Sequence, residues 1–194
     1  EFRRVLFRSL DTDRLLGTVE QVLKAGEAGH KQKFPLRTQF DLRALVSECL
    51  ELSRTRHHLK PEALYFEPGQ NAEELFVEGD PEELRTAVTN VLENAIKYSG
   101  EGVDVSVRLD APDEKLIALR VRDRGVGVPP ADLKRIFRRF YRVRHRSLSH
   151  IKGTGLGLFI VRAVARAHGG KAYAESEGEG RGTTIIIELP RSAG

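Results

Sequence analysis

After Asp41, apolar residues recur at Leu42, Leu45, Val46, Cys49 and Leu50, the spacing of a single helical face, and Asp41 stands where an N-cap is needed. The same period predicts an amphipathic helix from about Leu10 to Ala25, through Leu15, Leu16, Val19, Val22 and Leu23, with Asp11, Asp13 and Glu20 facing away. Between the two, Gly26 to Gln39 is polar, carries Gly26, Gly29 and Pro35, and reads as a linker. Short strands are expected around Leu64 to Glu67 and Leu75 to Glu78. Asp80-Pro81-Glu82-Glu83 then announces a helix: Asp80 can cap free amides, Pro81 suits the first helical position, and Glu83 can close a capping box. That helix should run to about Tyr98 and stop at Gly100. Val103, Val105, Val107 and Leu109 alternate with polar residues, and Ile117, Leu119 and Val121 continue beyond a turn at Pro112-Asp113, which predicts an antiparallel hairpin. A long irregular stretch follows Asp123. A last helix is expected from about Gly155 to His168, ended by Gly169, before strands near Ala172 to Glu175 and Thr184 to Leu189 that flank the turn Gly178 to Gly182. Helices interleaved with hairpin strands predict the α+β class: a two-layer α/β sandwich with a mostly antiparallel mixed sheet covered on one face by helices, plus an N-terminal helix fragment.

Composition narrows this to one full core and a small appendage, since the chain has 194 residues, 40% of them hydrophobic. The opening Glu1 to Ser9 resembles a translated sequencing adapter and is read as an assembly scar; the chain contains no Met, as a piece of a longer reading frame would. The expected organisation is therefore a scar over 1–9, a helix over 10–26, a linker over 27–40 and the main domain over 41–194. The single Cys49 excludes a disulfide framework and a cysteine metal site within the monomer, which makes a reducing cytoplasm the natural compartment. No apolar run approaches the roughly 18 residues of a membrane span. The formal charge of +4 suits nucleic acid, a membrane surface or a phosphate ligand, so the position of the charge has to decide.

Three segments carry chemistry. In Asn90-Val-Leu-Glu-Asn94-Ala-Ile-Lys97-Tyr98, the helical period groups Asn90, Asn94 and Lys97 on one face, with Glu93 beside them, opposite the stripe Leu84, Val88, Val91, Ala95 and Ile96. Neutral amide oxygens suit a Mg²⁺ ion already balanced by phosphates, and Lys97 adds a point charge. The alternative is a plain solvated helix face. In Asp123-Arg-Gly125-Val-Gly127, a strand-end carboxylate can accept from an exocyclic amine such as that of adenine, while the glycines let backbone approach a flat ring; the alternative is an ordinary Asp-Gly turn. In Gly153-Thr154-Gly155-Leu156-Gly157-Leu158, glycines open an apolar helix and expose amides toward an anion. A dinucleotide-binding turn is discounted, because a polar basic segment and not a strand precedes the glycines. That segment holds Arg135, Arg138, Arg139, Arg142, Arg144 and Arg146 among Phe137, Phe140 and Tyr141, and reads as a mobile lid over phosphates, with the aromatic residues as core anchors. A basic-aromatic nucleic-acid surface is the less favoured reading. Together the segments describe a pocket for ATP with magnesium.

In this order and spacing, the segments resemble the boxes of the sensor histidine kinase ATP-binding domain, over about Asp41 to Pro190. The resemblance implies magnesium coordination by Asn90 and Asn94, phosphate contact by Lys97 and adenine packing by Tyr98. It implies adenine recognition by Asp123 with Gly125 and Gly127, supported by Thr183 after Gly182. Phe137, Phe140, Tyr141 and Arg142 match the phenylalanine box, and Gly153, Gly155 and Gly157 the second glycine box. Asn94, Lys97 and Arg142 are then the expected catalytic groups. The implied reaction moves the γ-phosphoryl of ATP to a His on a dimerisation domain, for relay to an Asp of a response-regulator receiver domain.

No His of this chain stands in the phosphoacceptor context of that family, so the helix over 10–26 is expected to be the end of the second dimerisation helix. The parent is expected to be a homodimer with this domain in the cytoplasm and an inner-membrane anchor left open, and nucleic acid is not an expected partner. The rival within the wider superfamily is an ATPase in which Glu93 activates water. A non-catalytic nucleotide-binding module is the rival outside it.

Overall fold

The computed structural model describes residues 37–69, 75–100, 102–143 and 153–192. The helix expected over 10–26, and Arg144 and Arg146 of the basic segment, lie outside the described residues.

Strand β1 (Thr38–Asp41) pairs antiparallel with β3 (Phe76–Gly79) in a two-stranded sheet. Residues 38–40, placed by the sequence in a polar linker, are thus a strand; only pairing with β3 reveals it, because four residues with one Phe carry too little periodicity. The main sheet has the order β2-β4-β5-β7-β6, from β2 (Leu64–Glu67), β4 (Val105–Asp110), β5 (Leu116–Asp123), β6 (Lys171–Glu175) and β7 (Thr183–Pro190). Among the described residues, only the β2–β4 pair is parallel. Three helices, α1 (Leu42–His57), α2 (Pro81–Tyr98) and α3 (Gly157–Ala167), complete the α+β sandwich that the sequence predicts.

One continuous core joins the layers. Leu45, Val46 and Leu50 of α1, Leu84, Val88 and Val91 of α2 and Val161 and Val164 of α3 meet Val107, Leu119, Val121 and Ile187 of the sheet. Alternate strand positions turn to the other face, where Arg108 donates to Asp110 at 2.8 Å and the Tyr173 hydroxyl to Glu188 at 2.6 Å. Ile186 lies on that polar face and is nevertheless fully buried; its register neighbours are Arg120 and Tyr173, side chains long enough to cover it.

Helix α2 matters most, because it carries the asparagine face. Asp80 Oδ1 accepts from the amides of Glu82 at 2.9 Å and Glu83 at 3.3 Å, so the cap forms as expected. The reciprocal half of the capping box does not form. The Asp80 N–H donates instead to His168 Nε2 at 3.0 Å, and Glu83 Oε2 is left buried without a hydrogen-bond partner. His168, at the C-terminal end of α3, also bonds through Nδ1 to the Val164 carbonyl at 2.9 Å, which makes Nε2 the acceptor nitrogen. A residue 88 positions away therefore outcompetes a local side chain, and in doing so ties the start of α2 to the end of α3.

Candidate functional site

The C-terminal half of α2 and the N-terminal end of α3 face each other across a cavity of about 320 Å³. Asn90, Asn94, Lys97 and Tyr98 line it from α2; Gly153, Thr154, Gly155, Gly157 and Leu158 line it from the glycine loop. Asp123, Gly127 and Thr183 close the sheet side, and Arg142 the side of the basic segment. Thirteen residues named from motifs, scattered over the chain, thus meet in one place. Gly125 and Leu156 are not at the cavity wall. A Cβ on Gly125 would stand 1.9 Å from the Tyr98 carbonyl oxygen, so this glycine lets the strand-end turn press against the end of α2. Leu156 is buried under the loop.

Asp123 is 5% exposed, and its Oδ1 accepts from the amides of Gly125 at 2.9 Å and Thr183 at 3.3 Å. Both of these donors use one oxygen, and Asp123 lines the cavity. Thr183 thus supports Asp123 through its backbone N–H. Burial pushes the Asp123 carboxyl up to about 6, against the opposing pull of those amides.

The far end of the cavity is cationic. Burial lowers the Lys97 ammonium from its ordinary value, and the nearby Arg142 charge lowers it further, with Glu93 opposing. A half-buried Lys97 and an exposed Arg142 near each other at the cavity wall favour an anion between them. Asn90 Nδ2 donates to the Thr86 carbonyl at 2.9 Å, which turns Oδ1 outward, and a Cβ on Gly157 would meet that Oδ1 at 3.0 Å and Asn94 Nδ2 at 3.3 Å. A Cβ on Gly153 would stand 2.6 Å from Lys97 Nζ. The N-terminal residue before α3, Leu156, makes no side-chain cap, so the first amides of this helix are available to an external anion. Neutral amide oxygens of Asn90 and Asn94 beside the cations Lys97 and Arg142 would suit a hard divalent ion together with an anionic ligand.

Glu93 lines the cavity too, but its oxygens accept from Arg56 at 3.1 Å and from His57 Nε2 at 2.9 Å, both on α1. Of the aromatic residues expected as core anchors, Phe137 is buried at 2% exposure, whereas Phe140 is 65% exposed with a left-handed φ of 59°. The expectation fails for Phe140 because the backbone turns there, a feature without a periodic signature. The sequence reading also missed the apolar wall, formed by Val126, Val128, Ile136, Val143 and Ile185. Ile185 alternates like any core residue of β7, so its pattern cannot separate a cavity wall from a core.

Such a cavity, between two helices and the ends of β5 and β7, suits a domain that binds a nucleotide and hydrolyses it or transfers its phosphoryl group. Residues 79–193 match the family model of the histidine kinase-, DNA gyrase B- and HSP90-like ATPases, and the chain belongs to that family. Within it the homologues are sensor histidine kinases, and this chain carries their ATP-binding catalytic domain. It is 32% identical over 184 residues to the sensor histidine kinase WalK of Bacillus subtilis (strain 168), covering 93% of this chain and 29% of WalK. It is 32% identical over 200 residues to the probable sensor kinase SilS of Salmonella typhimurium, covering 98% of this chain and 38% of SilS. The chain thus spans less than half the length of these relatives. Among solved structures, a mycobacterial sensor histidine kinase MprB shares the fold with a TM-score of 0.69 and 33% identity, over 82% of this chain and all of that one. The catalytic domain of histidine kinase ThkA follows with a TM-score of 0.64 and 25% identity, over 82% of this chain and all of that one.

Proposed function

We propose that this domain holds ATP with Mg²⁺ and passes the γ-phosphoryl to a histidine on a phosphoacceptor domain of the same kind of protein. The imidazole nitrogen forms the new P–N bond, the bond from γ-phosphorus to the bridging oxygen breaks, ADP leaves, and the imidazole proton is released. Relay to an Asp of a response-regulator receiver domain follows. The observation that carries this reading is the seating of the Asn90 and Asn94 amides directly against the Gly157 end of α3. This junction would gather the proposed ion ligands and phosphate-binding amides in the same cavity that Asp123 lines.

Asn90 Oδ1 and Asn94 are the residues that would hold Mg²⁺, which when bound neutralises phosphate charge. Lys97 and Arg142 share the remaining charge, and the α3 amides orient the phosphates. Asp123 Oδ2 accepts from the adenine amine, where guanine would present a carbonyl, and Tyr98 packs on the base. Phosphoryl transfer depends chiefly on positioning and charge neutralisation, so no nucleophile from this chain is required. Glu93 is poorly placed for activating water, because both its oxygens are taken by Arg56 and His57. The parent is proposed to be a homodimer with this domain in the cytoplasm. No helix among the described residues is long and apolar enough to cross a membrane, so an anchor of the parent would lie elsewhere.

The test supplies a separate phosphoacceptor domain from a related kinase, labelled ATP and Mg²⁺. Label on the His is expected with the unmodified chain and none with Asn94→Ala. Labelling unaffected by Asn94→Ala, or ATP hydrolysis with no labelled His, would refute the transfer reading.

A further inference from the structure

Asp132 belongs to none of the motifs and does not line the cavity. It closes the 3₁₀ turn Pro130–Asp132, and its side chain is 16% exposed. Its Oδ1 accepts from the Tyr141 hydroxyl at 2.6 Å and from Arg135 at 3.2 Å. Arg135 in turn lies over the Tyr141 ring, 4.8 Å from its centroid. The ring is therefore held at its hydroxyl and on one face by two residues that touch each other.

The backbone on either side of the ring is pinned as well. Phe140 adopts its left-handed φ with its N–H donated to the Gly155 carbonyl at 3.1 Å, and the Tyr141 N–H reaches the Arg138 carbonyl at 3.3 Å. Left-handed backbone is unfavourable for a non-glycine residue, so such a turn persists only where surrounding contacts determine it. Its result is that Phe140 faces solvent while Tyr141 and Arg142 line the cavity. Arg142 shares a peptide unit with Tyr141, so fixing the ring fixes the backbone from which the Arg142 side chain departs.

We propose that Asp132 is a positioning residue of the nucleotide site: by anchoring the Tyr141 hydroxyl it sets where Arg142 stands relative to the terminal phosphate. Asp132 touches no nucleotide. Its effect reaches the site through Tyr141 and Arg142, both on the cavity wall, and falls chiefly on the γ-phosphate that Arg142 is proposed to meet. The inference rests on the reading of the cavity as an ATP site.

ATP and ADP affinities of the full chain, measured by calorimetry with Mg²⁺, separate this role from a general structural one. Tyr141→Phe removes only the hydroxyl and Asp132→Asn only the charge, and each is expected to weaken ATP binding roughly five- to tenfold, as loss of one charge-assisted hydrogen bond allows. ADP affinity is expected to stay within about twofold, and in an Arg142→Ala background neither substitution should weaken ATP further, as coupled residues require. The proposal is overturned if Tyr141→Phe binds ATP as the unmodified chain does, if ADP affinity falls equally, or if the loss persists without Arg142. Failure of the unmodified chain to bind ATP would overturn the proposed function as well, whereas insensitive variants of a chain that binds ATP overturn only the role of Asp132.

Discussion

The glycines around Asp123 and the outer glycines of the loop before α3, Gly153 and Gly157, do opposite things, while Gly155 between the latter is pressed against the Phe140 backbone. Around Asp123 the glycines are wedged against backbone: a Cβ would stand 1.9 Å from the Tyr98 oxygen at Gly125, 1.9 Å from the Gly178 oxygen at Gly127 and 2.0 Å from the Asp123 oxygen at Gly182. At the start of α3, Gly153 and Gly157 face side chains, Lys97 Nζ and the Asn90 and Asn94 amides. The Asp123 side of the cavity, proposed for the base, is thus part of the packed fold, and the side at Asn90, Asn94 and Lys97, proposed for the phosphates, is a set of charged and polar tips. A protein that must hold one base and yet release a phosphoryl group gains from that division. Rigidity selects the base, while side chains follow the moving charge.

The largest effect expected from this contrast is on stability. Gly125→Ala should cost about 3 kcal/mol or more in urea denaturation, because backbone on both sides would have to move. Gly153→Ala should cost under about 0.5 kcal/mol, since Lys97 can swing aside, but should weaken ATP binding measurably. Equal losses of stability at the two sites would erase the distinction between the loops.

Asp123 gives the next largest effect, through pH. Its carboxyl is pushed up to about 6 from an ordinary 3.8, so between those values the folded chain binds more protons than the unfolded one. Stability contributed by this group is therefore fully present below about pH 4 and is lost as pH rises through about 6, a difference on the order of 3 kcal/mol. ATP affinity should move the other way, falling as pH drops through about 6, because the adenine amine needs an ionised acceptor. Asp123→Asn should flatten both profiles, and affinity that is independent of pH between 5 and 7 would remove Asp123 from base recognition.

A smaller effect than at Gly125 or Asp123 lies at the start of α2. Asp80→Ala removes a cap worth about 1 kcal/mol, measurable as a lower denaturation midpoint, while the backbone N–H bond to His168 survives. A loss well above 2 kcal/mol would show that the cap and the His168 tether act as one unit.

Periodicity made most of the scaffold legible. The stripe of Leu84, Val88, Val91, Ala95 and Ile96 is buried as its 3.6-residue spacing requires, and the alternation of Val105, Val107 and Leu109 marks the inner face of β4. The site was legible for a similar reason: an asparagine face, a strand-end Asp and a glycine loop are local patterns whose chemistry follows from residue type. What escaped was non-periodic or non-local. Four residues of β1 are a strand only because β3 lies beside them, Phe140 is exposed only because its backbone turns left-handed, and His168 displaces Glu83 only because α3 ends where α2 begins.

The amino-acid sequence by itself determined which residues are chemically able to hold a nucleotide and which faces must be buried, since both follow from side-chain type and short-range spacing. Only the tertiary structure decided how those residues are used. It turned Asn90 Oδ1 outward, spent one oxygen of Asp123 on backbone amides, drew Glu93 to Arg56 and His57, and hung Tyr141 on Asp132. Each of these is a competition among hydrogen-bond partners far apart in the chain, and the winner is set by three-dimensional proximity, which no local pattern encodes.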